Sequence, residues 1–189
     1  MNQIENRFRK GIVDGIPIAL GYLSVSFTFG MMAVSYGLDV WFAVLISLMN
    51  LTSAGQFSGL TLMIEQASLL ELALSQIIIN LRYALMSLSL TQKVEAKTST
   101  GHRALMSFAI TDEIFAMAAS QPSKVGSSYF YGLMTLHIVG WTLGTLLGAV
   151  AYSLLPQSIQ VALGIAIYGM FIAIIFLQLE KKKVFYLWS

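Results

Sequence analysis

Cysteine is absent from this 189-residue chain, which excludes disulfides, thiolate chemistry and cysteine-based metal sites. Histidine is nearly absent: His102 and His137 lack the spaced partners that a zinc site needs. Charge is scarce at 11% of residues, and the net value of +2 matters less than where the charges sit. There is no His-Glu-x-x-His pair and no Gly-x-Ser-x-Gly elbow, and no Ser/His pair can be placed together, so an intramembrane hydrolase lacks its machinery. No enzyme activity, cofactor or nucleic-acid partner is expected. What the chain has in excess is apolar surface: 57% hydrophobic residues and a mean hydropathy of +0.75, far outside the soluble range. The expected class is an all-α, polytopic integral membrane protein forming one transmembrane domain over residues 1–189.

Apolar windows of about 20 residues, the length that spans a bilayer, fall near 14–36, 40–64, 69–90, 104–119, 129–155 and 158–179. Asp14 and Asp39 stand where N-caps belong, and Pro17 falls in the first turn of the expected first helix. Ser68-Leu69-Leu70-Glu71 reads as a capping box opening the third helix, and Pro156 as a stop after the fifth. Arg7, Arg9 and Lys10 precede an apolar run too long for a signal-peptide core, and further spans follow, so the first helix is read as retained. No repeat is visible at the residue level.

Ten of the eleven Lys and Arg lie outside these segments. If all six segments cross, three of the ten fall outside the cell, in the 91–103 loop. If the second and fourth segments enter and return on one side, all ten are cytoplasmic, which satisfies the positive-inside rule completely. Straight and re-entrant arrangements both stay open, and either places the N-terminus in the cytoplasm of a cell-membrane protein.

Function is sought where polarity interrupts the apolar runs. The heptad Asn50-Leu51-Thr52-Ser53-Ala54-Gly55-Gln56 lies inside the second segment, and hydrocarbon penalises unpaired polar groups. Asn50, Thr52, Ser53 and Gln56 offer donors and acceptors there, Gly55 permits close approach, and a half-helix starting after the break would aim its N–H groups at a carboxylate. Interhelical glue is the plainer alternative. Asn80 and Arg82 lie inside the third helix, where Arg82 either snorkels to the interface or holds a carboxylate. Asp112 and Glu113 interrupt the short fourth segment. Two adjacent carboxyls in an apolar setting cannot both stay ionised without compensation, which makes them proton-coupling candidates unless interfacial water solvates them. Gly140, Gly144 and Gly148 form a close-packing ridge, with His137 and Trp141 read as structural.

Several of these stretches occur together in one known family. Gly15-Ile16-Pro17 through Phe29-Gly30, the 50–56 heptad with Phe57, Asn80-Leu81-Arg82-Tyr83, Thr111-Asp112-Glu113 and Trp141-Thr142-Leu143-Gly144-Thr145 resemble the AzlC family of branched-chain amino acid permeases, in family order and over nearly the whole chain. The resemblance implies a secondary transporter that exports leucine, isoleucine, valine or analogues with a small AzlD-type membrane partner. Tyr83 stands where the family commonly has His, and Thr28-Phe29-Gly30 where Pro-Phe-Gly is usual. Family members continue beyond the point where this chain stops at Ser189, so a shortened C-terminus is expected, and with it the alternative of a non-transporting membrane subunit or scaffold.

Overall fold

The computed structural model describes residues 8–159, and the described residues form seven helices. These are α1 Phe8–Ser35, α2 Val40–Met49, α3 Ser53–Ile64, α4 Leu69–Thr91, α5 Thr100–Phe108, α6 Asp112–Ala119 and α7 Ser127–Leu154. Three of them, α1, α4 and α7, are long and apolar enough to cross a membrane. The expected sixth segment, 158–179, lies outside the described residues except for its first two positions. Neither the second nor the fourth expected segment is one helix. Each is split in the middle, at Asn50–Thr52 and at Ala109–Thr111.

The start of the first helix differs from expectation. Asp14 is not an N-cap and Pro17 is not in the first turn, because α1 already begins at Phe8. Arg9 and Lys10 are straight-chain residues that lose little rotamer freedom in a helix, and Lys10 pairs with Asp14 one turn later. Asp39 does cap α2, accepting the Trp41 N–H at 2.8 Å, and Ser68 caps α4 by accepting the Glu71 N–H at 3.2 Å.

The helices α1 and α7 run parallel in close contact along glycine faces. The α1 residues that face Gly140, Gly144 and Gly148 are Ala19, Leu23 and Phe27, so the two helices rise in step, eight residues against eight. Small residues let membrane helices approach until backbone meets backbone.

The split second segment folds back on itself. Gln56, one turn into α3, reaches the carbonyl of Ile46 in α2 at 3.3 Å and accepts from Ser47 at 3.3 Å. Further on, Phe57 and Leu60 of α3 share an apolar cluster with Ala43 at the start of α2 and with Phe29, Met32 and Ala33 near the end of α1. The hairpin α2–α3 therefore has its open end where α1 ends and its tip at Asn50–Thr52. From that open end α4 runs back antiparallel to α3, joined by Ser58 to Ser75 at 3.2 Å and by Tyr83 to Thr52 at 3.3 Å.

The hairpin α5–α6 enters from the other end. Its first turn lies beside α7, where His102 and Tyr131 are hydrogen-bonded. Its exit does too: Gln121 donates to the Tyr129 hydroxyl at 2.8 Å and accepts from Lys10 at 3.1 Å. Its tip, at Thr111, reaches Tyr22 in the middle of α1. The chain thus repeats one plan twice in opposite directions: a long helix, a half-helix, a break, and a second half-helix capped by a threonine. Thr52 caps α3 and Thr111 caps α6. The residue-level reading missed this repeat because the two copies share an architecture and hardly a motif.

Charge follows the same axis. Among the described residues Arg9, Lys10, Lys93, Lys97, Arg103 and Lys124 gather at the end where α1 and α7 begin, while Asp39, Glu65 and Glu71 lie at the other. Between them stand Arg82 and, at the tip of the α5–α6 hairpin, Asp112 and Glu113.

Candidate functional site

The two hairpin tips meet in the middle of the protein, and Leu51 and Ile110 of the tips lie in one core with Tyr22 and Trp141. Threonine suits both breaks. Its β-branched side chain tolerates the extended backbone observed at each cap, and its hydroxyl takes an N–H that the starting helix leaves unpaired. The N-termini of α3 and α6 therefore converge from opposite directions, and each favours negative charge.

Gln56 holds the first tip in shape. The side chain is buried, its Oε1 accepts from Trp141 Nε1 at 3.2 Å and from Ser47 at 3.3 Å, and its amide donates to the carbonyls of Ile46 and Asn50. Every donor and acceptor of the side chain is engaged within the protein. Ser47 continues the brace to Thr145 of α7 at 2.7 Å. Gly55 has no room for a side chain, since a Cβ would stand 2.7 Å from Gln76 Oε1. Gln76 in turn donates to the Gly55 carbonyl at 3.0 Å.

The charged groups cluster on the other side of the tips. Arg82 pairs with Asp112 at 2.6 Å, and the two side chains are 44% and 49% exposed, so the pair is open to a ligand on one flank. The guanidinium also donates to the Tyr83 hydroxyl at 3.0 Å and lies over that ring. Glu113 has a different partner: it accepts from Tyr22, whose oxygen is also 2.6 Å from the Thr111 hydroxyl. The adjacent carboxylates are thus compensated separately, one by a cation and one by a phenol, and both sit in the first turn of α6 where the helix dipole favours them. Arg82 does not snorkel to the interface; it reaches inward to α6.

Two cavities adjoin this cluster. One of about 20 Å³ lies between the tips, lined by Ser53, Tyr83, Asp112 and Glu113 among others, with room for about one water. The other, about 190 Å³, is lined by the polar side chains of Asn50, Thr52, Asn80, Tyr83 and Ser107 together with the apolar ones of Met49, Leu51, Phe108 and Ile110. That is below the roughly 300–1,000 Å³ of sites for drug-sized ligands, and suits a smaller molecule that carries both polar and aliphatic groups. Asn80 donates to Gln76 at 3.3 Å, but its Oδ1 is buried with no partner.

The structure therefore brings Asn50, Thr52, Ser53, Asn80, Asp112 and Glu113 to one pair of cavities, with Arg82 adjoining them through its contacts with Asp112 and Tyr83. It places Gln56 behind the tip as a brace and Gly140, Gly144 and Gly148 on the α1 contact, away from both cavities. Tyr22, Tyr83, Thr111 and Trp141 were not singled out as site residues. Three of the four carry a polar group on an aromatic ring, which apolar windows absorb without a signal. Thr111 could have been found, since it stands before Asp112 as Thr52 stands before Ser53.

The difference between brace and lining is measurable. Gln56→Ala leaves Trp141 Nε1 without its acceptor, at about 1–3 kcal/mol for a buried group left unsatisfied, while the Ser47 hydroxyl keeps Thr145 at 2.7 Å, and is expected to lower the thermal midpoint in detergent. Asn80→Ala removes an unpartnered Oδ1 and one 3.3 Å bond to Gln76 on the same helix, and is expected to lower that midpoint less.

Residues 17–155 match the AzlC protein family. The chain belongs to the AzlC family. Relatives of the chain include an uncharacterized membrane protein of Archaeoglobus fulgidus, 32% identical over 94% of the chain and 78% of the relative. The inner membrane protein YgaZ of Escherichia coli is 26% identical over 93% of the chain and 75% of the relative. The branched-chain amino acid transport protein AzlC of Bacillus subtilis is 24% identical over 98% of the chain and 73% of the relative. No solved structure matches the chain.

Proposed function

We propose that this AzlC-family protein is a secondary transporter that exports branched-chain amino acids across the cytoplasmic membrane, working with a small AzlD-type membrane protein. The observation that carries the reading is the meeting of two broken segments from opposite ends around a cavity lined by both polar and apolar side chains. Broken helices at mid-depth in oppositely oriented repeats are how many secondary transporters build a substrate site. The name of the Bacillus subtilis relative supports the substrate class.

In this reading the substrate carboxylate meets Arg82 and the N-terminus of α3 at Ser53. The ammonium meets the unpartnered Asn80 Oδ1 and Asp112, and the aliphatic side chain lies against Met49, Leu51, Phe108 and Ile110. Glu113, held by Tyr22, is the candidate proton carrier, with Asp112 exchanging between Arg82 and the substrate. The basic residues gathered at the end where α1 begins support a cytoplasmic N-terminus, with α2–α3 entering from outside and α5–α6 from inside.

The test is efflux of labelled leucine from vesicles that contain the full chain, with and without the small partner. Efflux above that of empty vesicles, competed by isoleucine and valine, is expected. A chain that binds its partner yet moves no leucine in either setting overturns transport in favour of a scaffold.

A further inference from the structure

One face of α4 carries Leu72, Gln76, Asn80, Tyr83, Ser87 and Leu90, spaced by three or four residues and therefore a single stripe down the helix. The other face, with Ile77, Ile78, Leu81 and Leu85, is apolar and exposed. Three cavities follow the stripe in order. The first, about 140 Å³, is bounded by Leu72 and Gln76. The second is the 190 Å³ cavity at Asn80 and Tyr83. The third, about 290 Å³, is bounded by Ser87 and Leu90. Neighbouring cavities share walls: Asn50 borders the first and second, and Ser107 and Ile110 border the second and third.

We propose that the substrate crosses the protein along this stripe, and that each hairpin tip supplies one of the two partitions. The reading rests on the transport function proposed above. Interhelical glue would explain polar groups on the stripe if each were paired across the contact, yet the buried Oδ1 of Asn80, a residue that borders the central cavity, is unpaired. The partitions come from opposite ends: Asn50 from the hairpin entering where α1 ends, Ser107 and Ile110 from the hairpin entering where α1 begins. Displacing one hairpin therefore opens the central cavity to one side while the other partition stays shut, which is what alternating access requires. Gln76 fastens the first partition, joining α4 to the Gly55 carbonyl at 3.0 Å, and accepts from Asn80 of its own helix at 3.3 Å.

The natural absence of cysteine makes the test direct. Single cysteines at Gln76, Asn80, Tyr83 and Ser87, and at Ile78 and Leu85 on the opposite face, are introduced into the full chain with its partner in vesicles. Each is then exposed to a charged methanethiosulfonate with and without leucine. Because a charged reagent is excluded from hydrocarbon, the stripe positions are expected to react at least about 10-fold faster than 78 and 85. Leucine is expected to slow the reaction at 80 and 83. Stripe positions no faster than 78 and 85 overturn the path, and Ser87→Cys, which changes one atom, decides this even if a larger replacement does not fold. Fast stripe positions on which leucine has no effect support the path and overturn the amino acid as its substrate.

Discussion

Arg82→Ala is expected to reduce leucine efflux about 10- to 150-fold, the equivalent of the roughly 1.5–3 kcal/mol carried by a hydrogen bond to a charged group. The side chain joins α4 to the second tip through Asp112 at 2.6 Å, so loss of efflux alone does not separate a tether from a ligand group. The charge-reversed pair Arg82→Asp with Asp112→Arg separates them. It restores the attraction between α4 and α6 and is expected to recover the thermal midpoint lost in either single variant. It also removes the cation from the flank of α4 where a carboxylate would dock, and efflux is expected to stay low. Recovery of efflux together with the midpoint would reduce Arg82 to a tether.

How much of this was legible in the sequence depends on the kind of signal. The break at Asn50–Thr52 was visible because hydrocarbon tolerates little polarity, and six small or polar residues among the seven of 50–56 leave few alternatives in an apolar run. The break at Ala109–Thr111 was visible only indirectly, through the shortness of its segment and the position of Asp112 and Glu113. That each break is a reversal followed from counting charges and was left open; the clustering of Leu60 with Ala33 and the bond from Lys10 to Gln121 are long-range and have no local code. The start of α1 was misread because Asp14 looks like a cap from its residue type, whereas its Lys10 partner lies four residues back and on the same face. The role of Gln56 was out of reach for a similar reason. Nothing in the chain's order says that Trp141, 85 positions away, would take the amide oxygen a substrate was expected to use.

Gly144→Leu is expected to cost more than any other substitution named here, above the roughly 1–3 kcal/mol typical of overpacking. A Cβ at Gly144 would stand 2.5 Å from the Leu23 carbonyl oxygen, and one at Gly148 would stand 2.7 Å from the Phe27 carbonyl carbon. Both obstacles are backbone, so a rotamer change cannot relieve them and the helices must part. Parting α1 from α7 pulls Tyr22 away from Trp141, its edge-to-face neighbour at 5.3 Å, and these two side chains touch opposite tips through Thr111 and Gln56. Efflux and folded yield should therefore fall together. Gly140→Ala should be milder, since the nearest obstacle is 2.8 Å away. Gly21→Ala is the control, because a Cβ there meets nothing within 4 Å, and it is expected to stabilise α1 by up to about 1 kcal/mol through helix propensity. Thermal unfolding in detergent of the three variants orders them as Gly144, Gly140, Gly21. Equal midpoints for Gly144→Leu and the unaltered chain would mean that the ridge does not hold the two long helices together.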